Sequence, residues 1–234
     1  MFGAALLATS AMAATTGAAH AETTFSGNVA LTSDYAFRGI SQTDEDPAIQ
    51  GGFDVASGMF YAGVWASTID FAAQNAELEL DLYAGITPTL GPVALDLGVI
   101  GYFYPSASDA ASELDFVELK AGAKLEPIQG LTLGGTLFYS PEFTLDGGDS
   151  LYAEASASYS ITDAFSVSGA VGNQSVDAAN YFADGAGFTD SYTTWNIGAT
   201  YSFAGFGIDL RYVDTDLDTT ITEERVILSI KRAL

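Results

Sequence analysis

Three carboxylates at alternating positions, Glu77, Glu79 and Asp81, mark the stretch ELELDLYAGI at 77–86. Paired acids are what glycoside hydrolysis needs, one to give a proton and one to act as base or nucleophile. By residue type the candidates are Glu77 with Glu79 and Asp81 with Asp96. Acids can also hold hard cations, and Asp44, Glu45 and Asp46 cluster in one segment, with Asp214, Asp216 and Asp218 in another. DTDLD at 214–218 opens like a calcium loop. Thr219, however, stands where that loop needs its glycine, and Arg225 where it needs a bidentate glutamate. It is not an EF-hand. Nucleophile–base chemistry is poorly supplied: the chain has no cysteine, and its one histidine is His20. Without those residues, Ser-His-Asp, Cys-His and histidine-zinc sites cannot form in a chain that begins after His20. What the acids do depends on the elements that carry them.

Glu77, Glu79 and Asp81 alternate with Leu78, Leu80 and Leu82. Successive side chains of a strand point to opposite faces, so this segment has one oily face and one acidic face. The same period-two pattern runs through most of the chain, while helical periodicity is weak. Twelve strands are predicted: Thr24–Arg38, Ala48–Ser57, Met59–Phe71, Glu77–Leu90, Val93–Tyr104, Glu113–Glu126, Leu131–Ser140, Leu151–Ile161, Phe165–Val176, Tyr192–Phe203, Phe206–Asp214 and Glu223–Leu234. Most are roughly 10–14 residues, long for a soluble sheet and sufficient to cross a bilayer at a tilt. Short turns alternate with longer, acidic loops such as SQTDEDP and DAANYFADGAGFTD. Short connections at one end and long ones at the other are the layout of outer-membrane barrels.

The fold expected is therefore all-β: a transmembrane antiparallel up-and-down β-barrel of about 12 strands. The oily faces, such as Leu95, Leu97 and Val99 or Val117, Leu119 and Ala121, would meet lipid. Phe25, Phe37, Phe60, Phe71, Phe103, Phe165, Phe203, Phe206 and Tyr212 would form interfacial girdles near the strand ends. Asp34, Arg38, Asp54, Glu77, Glu79, Asp81, Asp96, Glu118, Lys120, Lys124, Glu154, Asp209 and Arg211 would line the pore. Acids facing an aqueous lumen are expected of any such barrel, so no catalytic residue, metal site or cofactor is assigned. A secreted soluble barrel or sandwich is the competing fold.

The 234 residues carry 7 basic and 30 acidic side chains, a formal net charge of -23. So acidic a surface repels phosphate backbones and excludes nucleic acid as a partner. At 48% hydrophobic and 12% aromatic the chain can nevertheless fold. Residues 1–21 read as a signal peptide: an uncharged Ala-rich stretch, then Ala19-His20-Ala21 as cleavage site, leaving 22–234 as the barrel domain. The usual basic start is missing, since Arg38 is the first basic residue.

SDYAFRGISQ at 33–42, AIQGG at 48–52, FYAGVWAS at 60–67, AELELDLYAGI at 76–86 and YSPE at 139–142 resemble the TorF family of small proteobacterial outer-membrane porins. The likeness spans essentially the whole chain after residue 21. It implies an outer-membrane barrel of a Gram-negative bacterium that passes solutes, and it brings no set of substrate residues. One departure is the C-terminus, where RVILSIKRAL ends in Leu234 rather than an aromatic and places Arg232 on the lipid side. Two functions follow as expectations. One is a narrow channel with an acidic, cation-preferring lumen for small solutes. The other is a closed barrel whose acidic loops bind lipopolysaccharide or divalent cations.

Overall fold

Along Phe116–Ile128, Val117 and Leu119 are exposed while Phe116 and Glu118 are buried. Such alternation recurs from strand to strand in the computed structural model, which describes residues 22–105, 107–108 and 113–234. The expected leader at 1–21, with His20, lies outside the described residues, as does part of the loop SASDAAS.

The twelve long strands are β1 (Thr23–Thr32), β2 (Ala48–Ser57), β3 (Phe60–Phe71), β4 (Ala76–Ile86), β5 (Val93–Phe103), β6 (Phe116–Ile128), β7 (Leu131–Phe143), β8 (Gly148–Thr162), β9 (Phe165–Val176), β10 (Ser191–Phe203), β11 (Phe206–Thr215) and β12 (Arg225–Ala233). Each is antiparallel to its sequence neighbour, and β1 pairs with β12 from Asn28↔Ala233 to Thr32↔Ser229. The sheet therefore closes on itself as a twelve-stranded up-and-down barrel. Closure leaves no unpaired edge, a requirement inside a bilayer, where an unsatisfied backbone group costs several kcal/mol.

The outer surface carries a continuous apolar population, including Leu82, Leu119, Leu137, Val171, Ile197, Leu210 and Val226, each at least 49% exposed. A monomer in water rarely shows so extended an apolar face, whereas lipid covers one without cost. Phe25 (81% exposed), Phe60 and Phe203 ring the short-turn end, as a girdle should. Arg232 lies over the Phe206 ring at 4.7 Å and donates to the Ala204 carbonyl at 3.1 Å. This keeps its charge at the rim.

Three expectations need correction. The first strand stops at Thr32 rather than Arg38, and residues 33–47 turn into the barrel. Tyr35 and Phe37, expected on the lipid face, accordingly point inward and pack on Trp65 and Tyr102. Phe71 likewise leaves the girdle and packs on Tyr104 at 5.8 Å. Finally, the predicted strand Glu77–Leu90 breaks after Ile86 and resumes as Thr89–Leu90. Pro88 has no N–H to offer the ladder and restricts Thr87 before it.

Candidate functional site: a lumen crossed by the first loop

The loop after β1 is anchored before it crosses. Asp34 is its staple: one carboxylate oxygen accepts from Ser41 Oγ at 2.6 Å and Thr43 Oγ1 at 2.9 Å, the other from Arg225 Nε at 2.6 Å. Arg225 also donates to the Gly39 carbonyl at 2.7 Å, tying the loop to β12. Between these anchors Ala36–Phe37 and Ile40–Ser41 form a minimal hairpin. Its tip is Arg38 at φ 49 followed by Gly39 at φ 88. The left-handed backbone suits glycine at the second position. Space demands it too, since a Cβ on Gly39 would collide with Thr194 and Thr215.

The hairpin delivers Arg38 to the far wall. Arg38 Nη2 sits 2.7 Å from both carboxylate oxygens of Glu118 on β6, and Nη1 donates to Gln174 on β9. Around the closed sheet β6 stands nearly opposite β1, so this contact spans the lumen. Tyr102 donates to Glu118 at 3.0 Å, Ser150 and Gln174 are hydrogen-bonded, and Tyr192 donates to the Arg38 carbonyl at 3.0 Å. The guanidinium also lies 4.3 Å from the Tyr152 ring and 4.7 Å from that of Phe37. Side-chain exposure is 1% for Arg38 and 0% for Glu118. Burial opposes the Arg38 charge, but the Glu118 carboxylate outweighs it and holds the guanidinium above its ordinary pKa. Breaking a buried pair of this kind costs about 3–5 kcal/mol, because the surviving charge has no water.

Beside this seal lies a second buried group. Glu79 and Asp81 share one face of β4 and are 2% and 1% exposed. Tyr35 donates its hydroxyl to Glu79 at 3.0 Å. Burial pushes that hydroxyl well above its ordinary pKa, with Glu79 and Asp81 adding to the shift, so it remains a donor. Asp81 Oδ1 has no hydrogen-bond partner. Glu77, expected in the same row, is instead exposed near the loop end, where the β3–β4 register shifts.

The remaining expected pore residues lie toward the short turns and are more open. Lys120 pairs with Asp96, which also accepts from Tyr61 at 2.7 Å. Arg211 binds Asp209 at 3.0 Å, Asn196 at 2.8 Å and Ser168 at 3.0 Å. Tyr83 donates to Asp54, and Tyr152 donates to Glu154 at 3.0 Å. Lys124 is exposed at the turn end. Between this half and the hairpin is a cavity of about 100 Å³, lined in part by Asp34, Arg38, Glu154, Asp209 and Arg211.

Arg38 and Asp34 do not pair with each other: each has its own partner, one across the lumen and one on β12. Sequence reasoning missed Tyr35, Gly39, Tyr102, Gln174, Tyr192 and Arg225. A usable signal was present. The expected first strand, Thr24–Arg38, was longer than the roughly 9–11 residues a tilted strand needs. Arg38-Gly39 then supplies a turn residue where the excess begins to fold back. Two of the acids in DTDLD are engaged locally: Asp216 accepts from the Thr193 N–H at 2.7 Å, and Asp214 from Tyr212 at 2.8 Å.

A family model described as a bacterial protein of unknown function (Gcw_chp) matches residues 16–233. No curated protein matches the chain in sequence. Among solved structures the chain is similar to the NanC porin, with TM-score 0.60, 10% identity, and 88% of this chain and 98% of that one covered. It is also similar to the KdgM porin, with TM-score 0.59, 5% identity and the same coverage. A third structure, KdgM porin in complex with disordered oligogalacturonate, aligns at TM-score 0.57 and 6% identity, covering 90% of this chain and 98% of that one. At such identities the likeness is one of fold: a barrel of the outer-membrane porin type.

Proposed function

The chain belongs to the Gcw_chp family of bacterial proteins of unknown function, and on that premise we propose that it is a narrow, porin-like channel for small solutes in the outer membrane of a Gram-negative bacterium. The porin resemblance of SDYAFRGISQ and its companion segments fits this reading, as does an export leader at 1–21 that is cleaved before insertion. The observation that carries it is Arg38 reaching across the lumen to Glu118. A barrel of twelve strands lies between those whose interiors side chains fill and those that hold an open channel. An inward loop then sets the bore.

Small cations and small neutral solutes are the class we infer. Four ion pairs neutralise much of the interior: Arg38–Glu118, Lys120–Asp96, Arg211–Asp209 and Arg225–Asp34. Asp54 and Glu154, half-buried on the lumen side, accept from tyrosine hydroxyls and belong to none of these ion pairs. Uncompensated carboxylates facing a lumen favour cations over anions. The protein performs no bond chemistry on this reading: most of its inward acids are engaged in ion pairs or in binding tyrosine hydroxyls.

Planar bilayers test it. Purified protein should give small conductance steps and a reversal potential of cation-selective sign in a salt gradient. Anion selectivity would reject the charge assignment. A complete lack of steps, both in the native chain and after the first loop is released, would leave a closed structural barrel.

A further inference from the structure

On the loop side of the Arg38 seal, the barrel encloses a chamber of about 470 Å³. Pockets for small organic molecules run from roughly 300 to 1,000 Å³ and are mostly apolar with a few placed polar groups. This chamber has that character. Its wall is built from rings, among them Phe71, Tyr104, Phe143, Tyr181 and Phe182. The rings support one another: Phe71 on Tyr104 at 5.8 Å, Phe143 on Tyr181 at 6.0 Å and Tyr181 on Phe182 at 4.7 Å. Tyr181 is fixed further by donating to the Thr144 carbonyl at 2.6 Å. The wall is thus formed before any ligand arrives.

Charge selects the ligand. Among the described residues, the charged residues lining the chamber are Asp44 and Asp70, both exposed, and no lysine or arginine joins them. Beneath the floor, Arg38 is engaged by Glu118 and Gln174, and Arg225 by Asp34. Aromatic faces attract cations as well. An anion entering here meets two carboxylates and no partner.

We propose that the chamber binds small amphipathic cations, molecules with an aromatic or alicyclic body and an ammonium group, and holds them above the constriction. The body lies against the Phe71, Tyr181 and Phe182 rings while the ammonium faces Asp44 and Asp70. Onward passage of the ligand rests on the channel reading given above; binding in the chamber does not.

The test uses the full barrel in lipid nanodiscs, titrated calorimetrically with 1-naphthylmethylammonium and, separately, 1-naphthalenesulfonate. The two probes share a body and differ in charge, and heats from empty nanodiscs are subtracted. The cation should bind about tenfold more tightly, the scale expected of two solvent-exposed carboxylates acting together. Asp44→Asn with Asp70→Asn should bring the two probes to similar affinity, and Tyr181→Ala should weaken both several-fold. The double acid variant alters only exposed side chains, so it remains informative if Tyr181→Ala does not assemble. Equal affinities in the native protein, or an undiminished cation preference in the double variant, would overturn the proposal, as would binding of neither probe. Bilayer recordings separate the two readings. Conductance without probe binding removes the chamber site and leaves the channel; probe binding without conductance removes the channel and leaves the site.

Discussion

The two ends of this barrel hold their interiors together by different physics. At the hairpin, beneath the loop-end chamber, the interior is dry: Tyr102, Glu79, Asp81 and Glu118 are at most 2% exposed, and the Arg38 and Glu118 side chains are 1% and 0% exposed. Toward the short turns the same residue types pair in the open, Lys120 with Asp96 at 24% and 34% side-chain exposure and Arg211 with Asp209 at 12% and 24%. Aromatic residues divide in the same way. Phe25, Phe60 and Phe203 face outward at the turn end, while Phe37, Phe71 and Phe143 turn inward at the loop end. A charge pair in the dry half acts as a lock, because neither partner can be released without desolvated loss. In the wet half solvent screens it, and it holds the structure together only weakly.

If that contrast holds, substitutions should have effects graded by burial. The largest comes from Arg38→Ala, which strands Glu118 and removes about 3–5 kcal/mol of loop docking. Single-channel conductance should rise several-fold while the barrel still shifts on boiling in gels; unchanged conductance would mean that the hairpin does not set the bore. Gly39→Ala should cost about 1–3 kcal/mol through its left-handed backbone and the crowding of Thr194 and Thr215. It is expected to give intermittent openings, seen as current noise between two levels. Tyr35→Phe comes next. It leaves the Glu79 carboxyl without its phenolic donor, a loss of about 1–3 kcal/mol. Faster proteolysis within 33–47 would report it. The smallest effect belongs to Lys120→Met in the wet half, at about 0–1 kcal/mol. Stability should scarcely move, but the reversal potential should shift toward stronger cation preference, since Asp96 is then uncompensated. A Lys120→Met protein that unfolds more readily than Arg38→Ala would invert the comparison and sink it.

The barrel itself was legible because alternation is a local property. Leu78 and Leu82 against Glu79 and Asp81 announce two faces, and acidic stretches such as SQTDEDP mark the loop ends. The plug was not legible, for two physical reasons. Alternation continues through Asp34, Tyr35, Ala36 and Phe37, so period two could not distinguish a strand in the wall from an extended segment crossing the lumen. Moreover, Arg38 finds Glu118 at a separation of 80 residues and Gln174 at 136, pairings that closure of the barrel creates and that no spacing encodes. Tyr35 and Phe37 looked like lipid-facing residues for the same reason: a ring suits either side of a strand until its neighbours are known. The expected pore acids divide into buried, paired and exposed members, a division that alternation does not carry. Glu77 shows the limit, since a register shift beside it moves it out of the row that Glu79 and Asp81 keep.

Arg225, the first residue of β12, holds Asp34 and the Gly39 carbonyl, so the strand that closes the barrel on β1 clasps the first loop. Wall and plug therefore share one seam, and neither is finished until the chain has come full circle. A molecule interrupted before that seam would keep a gaping side and a dangling hairpin together. The act that zips the cylinder thereby also seats its stopper.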